Sequence, residues 1–267
     1  MKKNKIKQGR KLDLLSVLLI IAGLAMIVFA LTRLIPILLQ YHEEEAAYDE
    51  IRDEYVTVKA YEDDDTETQE DSTWWYDSIF VNIEKLQEKN PDIAAWIRFD
   101  HMDLSYPIMY SGDNETYLHA DMNKEYSKAG TLFVDQKNQP DFSDGNTIVY
   151  GHNMKNGSMF GKLKKYKKDG FYEDNQYFTI YTNEAAMRYH IFAYYDTDET
   201  DSYYFTSYEG EEALGNLFSE FQRKSYYDTG VEVTPEDKTV TLSTCSAEGM
   251  RFLVIGVLEE TYDYTQE

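Results

Sequence analysis

The chain has 267 residues, with 49 acidic against 26 basic side chains and a formal net charge of −23. That shortage of Lys and Arg argues against nucleic-acid binding, which needs clustered cations to displace phosphate counterions. Hydrophobic residues at 42% and aromatics at 15%, including 24 tyrosines, supply enough material for one packed core.

The charge is unevenly placed. Residues 2–11 carry Lys2, Lys3, Lys5, Lys7, Arg10 and Lys11 with no acid among them, and an apolar run follows from Leu14 to Leu31, extended by Leu34 to Leu39. About 20 apolar residues in a helix cross a bilayer core of roughly 30 Å. The expectation is a basic cytoplasmic tail over 1–11 and a transmembrane signal-anchor over 12–39, in contact with membrane lipid. The basic flank holds the N-terminus in the cytoplasm and puts the rest outside. The alternative is a cleaved signal peptide, whose apolar region usually runs about 7–15 residues, shorter than this one.

Residues 40–73 read as a tether. Tyr41 to Lys59 is rich in Glu, Ala and Arg and predicts a helical stalk, and Glu62 to Asp71 contains no apolar residue. A segment of that composition cannot bury enough surface to offset its ordering entropy, so it reads as a flexible acidic linker. It lacks the glycine-punctuated ligand spacing of a calcium loop.

A folded domain is expected over 74–267. Ile79, Phe80, Ile83 and Leu86 recur at helical spacing, and Asn90-Pro91 stops that helix. Short β-rich runs follow at Ile93–Phe99, Tyr106–Tyr110, Thr131–Val134, Thr147–Tyr150, Tyr177–Tyr181, Met187–Tyr195, Thr239–Thr244 and Phe252–Leu258. Helical insertions are expected at Ser158–Lys168 and Glu211–Tyr226. About eight strands with few helices fit a mainly β fold, a closed or nearly closed eight-stranded barrel with added helices.

Cys245 is the only cysteine, so no disulfide forms within the chain. A lone thiol in an exported protein is either buried and inert or kept for its chemistry. Cys245 ends the strand from Lys238, and Arg251 opens the next strand six residues later, so a cation is expected beside the sulfur. Such a cation favours the nucleophilic thiolate, and a guanidinium can hydrogen-bond a developing oxyanion. Of the five histidines, His42 falls on the stalk, His101 in a turn, His119 after a short helical stretch and His190 within a strand. His152 stands where the strand Asn146 to Tyr150 emerges through Gly151 into a loop, a common place for acid–base groups and also for an ordinary exposed histidine. Cys, His and Arg together suffice for acyl transfer through a thioester. No Asp or Asn is assigned to orient the imidazole.

Thr241-Leu-Ser-Thr-Cys245, Tyr150-Gly-His152-Asn153 and the following Arg251 resemble the sortases, transpeptidases that attach surface proteins to Gram-positive cell walls. The resemblance runs from about Phe80 to Leu258. It looks closest to class B, through the N-terminal helix ending at Asp92 and the helix near 211–226, although the loop from Cys245 to Arg251 is shorter than in many class B members. It implies a sortase-like barrel with Cys245 as nucleophile, His152 as general acid and base, and Arg251 as oxyanion and substrate-positioning group. Tyr150, Ser243 and Asn114 match positions that line the class B peptide groove. The implied reaction cleaves a sorting signal of the NP-x-T-x or LP-x-T-G kind after Thr and transfers the acyl group to an amine of a cell-wall precursor or cross-bridge, without metal or other cofactor. A membrane-tethered binding module, a sortase that has lost catalysis, is the alternative. An L,D-transpeptidase carries a Ser-x-Gly-Cys type motif that Ser243-Thr244-Cys245 does not fit.

Overall fold

The apolar run beginning at Leu14 forms one helix, α1 (Leu14–Tyr55), of 42 residues. In the computed structural model, which describes residues 14–58, 74–201 and 210–264, the apolar part of α1 is unburied and long enough to cross a membrane. The basic tail over 1–11 and the acidic stretch over 62–71 lie outside the described residues.

The chain divides into two units at Ala46 and Ala47. The second unit therefore starts well before Trp74, where the sequence suggested that the folded domain begins. The physical reason lies in the tyrosines of the stalk segment. Tyr48 and Tyr55 are buried, and the Tyr48 hydroxyl donates to the Gly130 carbonyl at 3.1 Å. The β-branched run Val56-Thr-Val58 then leaves the helix as strand β1 (Val56–Val58) and pairs antiparallel with β2 (Ile79–Val81).

The helical reading around Ile79 to Gln87 is also divided. A short helix α2 (Trp74–Asp77) precedes β2, and α3 (Ile83–Lys89) follows it. Asn82 sets the division, because its side-chain oxygen accepts from the Lys85 N–H at 3.0 Å and caps α3.

Eight strands then close a barrel in the order β10-β8-β7-β3-β4-β5-β6-β9. They are β3 (Ile93–Phe99), β4 (Ser105–Met109), β5 (Leu132–Val134), β6 (Asn146–Tyr150), β7 (Tyr177–Tyr181), β8 (Ala185–Asp198), β9 (Thr239–Ala247) and β10 (Met250–Asp263). Each matches an expected run, with β8 and β10 considerably longer than their hydrophobic centres. Two joins are parallel, β4 to β5 and β6 to β9, and the others are antiparallel. The Ser158–Lys168 insertion is a 3-10 helix (Phe160–Lys167), and the later insertion is α4 (Glu211–Lys224).

Among the described residues, two buried clusters include strands of the barrel wall. Trp75, Ile79, Ile83 and Leu86 pack with Trp96, Met109 and Tyr181, whereas Leu217, Phe218 and Phe221 of α4 pack with Phe192, Leu253 and Ile255. The second cluster covers β8 and β10, and β10 carries Arg251 at its start.

Gly256 marks a tight point in that wall. A Cβ there would lie 2.6 Å from Phe178 Cε1 and 3.0 Å from Tyr189 Cβ. Gly256→Ala is expected to destabilise the domain by about 1–3 kcal/mol, the usual cost of overpacking a filled core, seen as a lower chemical-denaturation midpoint.

Candidate active site

Strand β9 fixes the positions of all three residues expected to do chemistry. On one side it runs parallel to β6, with Tyr150 paired to Ser243. His152 lies two residues beyond Tyr150 and Cys245 two beyond Ser243, so both leave the barrel at the same rim. On the other side β9 pairs antiparallel with β10, and Arg251 stands directly opposite Cys245. Adjacent strands lie about 4.8 Å apart, and cross-strand partners project to the same face. The fold thus brings His152, Cys245 and Arg251 together across three neighbouring strand ends.

A bulge secures the Cys245–Arg251 pairing. Met250 pairs with Ala247 and Arg251 with Cys245, which leaves Ser246 as the extra residue. Without it, Arg251 would face Ser246, and the guanidinium and thiol would point to opposite sides. The expected loop Ser246–Met250 is correspondingly tighter. The strands extend to Ala247 and from Met250, and Glu248-Gly249 makes the turn, with Gly249 at φ +70°, a backbone that glycine adopts without strain.

Cys245 is exposed and unpaired as a disulfide, which sets aside the buried, inert reading of the lone thiol. The Arg251 guanidinium is half-buried, with Nη2 3.0 Å from Glu199 Oε2 and Nη1 donating to the Met250 carbonyl at 3.2 Å. The His152 imidazole is oriented by main chain, as Nε2 lies 2.8 Å from the Leu118 carbonyl oxygen. A carbonyl can only accept, so Nε2 carries the hydrogen and Nδ1 is left to exchange a proton. The His119 ring stacks on that of His152 at 5.9 Å and 25°.

The expected groove residues take different positions. The Tyr150 hydroxyl donates to Asp135 Oδ2 at 2.8 Å, and Asn114 Nδ2 donates to the same oxygen at 3.0 Å. Asp135 is only 5% exposed, and its Oδ1 accepts from the Lys137 N–H at 2.9 Å, so one buried carboxylate fixes both side chains. Ser243, at 1% exposure, is buried beside Tyr150 and supports the rim from within. Among the other histidines, His119 joins the site; His190 pairs with Glu259 at 2.8 Å on β10, and burial lowers its basicity.

Sequence reasoning missed Asp135, Asn153, Glu199 and the Leu118 carbonyl. A carboxylate closing the apolar strand Leu132–Val134 was a readable sign, because such a group needs donors when buried. A backbone carbonyl has no sequence signature at all.

Comparison with known proteins agrees with this geometry. Residues 97–259 match the model of the sortase domain. Sortase B of Listeria monocytogenes is 36% identical over 167 residues, which cover 62% of this chain and 68% of that protein, and sortase B of Staphylococcus aureus is 32% identical over 163 residues, covering 61% and 67%. Among solved structures, sortase B from Bacillus anthracis in complex with AAEK1 superposes with a TM-score of 0.69 at 28% identity, covering 84% of this chain and all of that one. With an exposed thiol opposite an arginine at one mouth of a closed barrel, the chain belongs to the sortase family, most like sortase B, and is a cysteine transpeptidase that anchors surface proteins.

Proposed function

We propose that Cys245, His152 and Arg251 carry the transpeptidation, and that the chain cleaves a C-terminal sorting signal of the NP-x-T-x or LP-x-T-G kind after its Thr. The observation that supports this most directly is the double register of β9, with Tyr150 on Ser243 and Arg251 on Cys245. The Cys245 thiolate attacks the Thr carbonyl carbon, and the oxygen of the tetrahedral intermediate takes up negative charge that the Arg251 guanidinium stabilises. The C–N bond breaks as imidazolium His152 gives its Nδ1 proton to the departing amine, leaving a thioester on Sγ. An amine of a cell-wall precursor or cross-bridge then attacks the thioester carbonyl. His152 takes the amine proton back, the C–S bond breaks and the thiolate returns.

Glu199 bears on this cycle. Its carboxylate holds Nη2 of Arg251 at 3.0 Å, but the side chain is 48% exposed, and pairs of that kind contribute only about 0–1 kcal/mol. Arriving substrate can therefore exchange Glu199 for its own carbonyl at little cost. Tyr150 and Asn114 line the peptide groove in this reading, with Ser243 buried beside Tyr150. The α1 helix, entered from the basic tail, anchors the enzyme in the membrane with the barrel on the extracellular side.

Expected outcomes are specific. Cys245→Ala and His152→Ala abolish thioester formation on sorting peptides, measured by mass spectrometry, and Arg251→Ala lowers turnover by about 100–1,000-fold. Arg251→Lys fails to restore it, since an ammonium lacks the planar fork. Full activity in Cys245→Ala would refute the assignment. Asp135→Ala removes one hydrogen bond from each of Tyr150 and Asn114 and is expected to raise KM for the peptide by about tenfold, equivalent to about 1.4 kcal/mol of binding, with kcat less affected. An unchanged KM would remove those two residues from the groove.

A further inference from the structure

The side chain of Asn153 continues a backbone ladder that stops one strand pair too early. Strands β6 and β9 are paired as far as Tyr150 and Ser243, and the Gly151 N–H then donates to the Ser243 carbonyl at 3.1 Å. Beyond that point β9 runs on to Ala247 while the partner chain turns away at His152. Carbonyls two residues apart on a strand point to the same side, so the Cys245 carbonyl faces the same neighbour as that of Ser243. Asn153 Nδ2 donates to it at 2.7 Å.

His152 is therefore held between two ties to β9, one through Gly151 to Ser243 and one through Asn153 to Cys245. The first is main chain and fixes the strand end. The second acts on the nucleophile's own residue. Two further bonds complete the frame: the Phe160 N–H donates to the His152 carbonyl at 3.1 Å, and Nε2 lies against the Leu118 carbonyl. Of these four bonds, only the one from Asn153 links the imidazole's loop to Cys245 itself.

Stability alone does not account for this amide. Its Oδ1 is buried and has no hydrogen-bond partner among the described residues. Reversing the amide would set Oδ1 against the Cys245 carbonyl, two acceptors facing one another, so the donor orientation is the one the partner requires. The side chain leaves one buried polar atom unsatisfied while it makes this bond.

We infer that Asn153 is a positioning residue that sets the spacing between the Cys245 thiol and the His152 imidazole by holding the Cys245 carbonyl. This rests on the proposed roles of Cys245 and His152. It touches neither substrate nor sulfur in this reading, and it acts on kcat rather than on peptide affinity. A misplacement of about 1 Å between reacting groups can lower a rate by about 100-fold.

The test uses the full-length chain in detergent, with Asn153→Ala, Asn153→Asp and Cys245→Ala beside the native enzyme. The probe is whichever peptide of an NP-x-T-x and LP-x-T-G panel the native enzyme turns over fastest. Asn153→Ala is expected to acylate about 10–100-fold more slowly, with KM within about twofold and an unchanged melting temperature. Asn153→Asp keeps the shape but cannot donate while ionised. Its rate relative to native enzyme is therefore expected to be low at about pH 7.5 and to rise as pH falls towards about 4, where the carboxyl takes a proton. Acylation by Asn153→Ala within twofold of native overturns the inference. If that variant does not fold, a relative rate for Asn153→Asp that stays flat with pH overturns it instead. Failure of the underlying reading looks different: no peptide of the panel acylates the native enzyme, or Cys245→Ala still turns over.

Discussion

Strand β9 hydrogen-bonds to a parallel neighbour on one side and an antiparallel neighbour on the other, and the site takes its spacing from that double pairing. The constraint is demanding because the side-chain period of a strand is two. A slip of one residue on the β10 side would turn Arg251 away from the thiol. A slip on the β6 side would carry His152 out of line with Cys245. The chain guards the first with the bulge at Ser246 and the turn at Gly249. It guards the second with the buried polar cluster at the start of the ladder, where Asn146 Oδ1 accepts from the hydroxyls of Thr239 and Thr241 at 3.1 and 2.8 Å.

That cluster connects stability to function. Asn146, Thr239 and Thr241 are buried, and unsatisfied polar groups there would cost more than the bonds return in water. In the observed placement of β6 and β9 the Asn146 Oδ1 and the two threonine hydroxyls pair with one another, whereas Asn146 Nδ2 is buried with no hydrogen-bond partner among the described residues. Asn138 adds to the lock, since its amide donates to the Asn146 carbonyl at 2.9 Å and accepts from the Ile148 N–H at 2.9 Å. The register is thus fixed by buried hydrogen bonds some distance below the rim, and the rim residues are aligned as a consequence.

The site itself is built with few charges. One carboxylate, Asp135, accepts from both Tyr150 and Asn114, and one main-chain carbonyl orients the imidazole. Glu199 meets the guanidinium from the exposed side, where solvent weakens the pair. The imidazole is thus oriented by a neutral group, whereas Tyr150, Asn114 and Arg251 are held by carboxylates.

How much of this was legible beforehand depends on the kind of signal. Short β-rich runs between turn residues located all eight barrel strands, and the apolar run from Leu14 located the long helix, because burial and membrane insertion act on local composition. Cys245, His152 and Arg251 were expected near strand ends, and the register of β6, β9 and β10 places them there. The sequence did not reveal that Tyr48 and Tyr55 belong to the compact unit, since a stalk rich in Glu and Ala looks alike whether or not two tyrosines find a partner. Nor did it reveal the bulge at Ser246, the carbonyl of Leu118 or the amide of Asn153. Those depend on hydrogen bonds between residues distant along the chain, and such bonds are defined only once strand closure has set which backbone groups face each other.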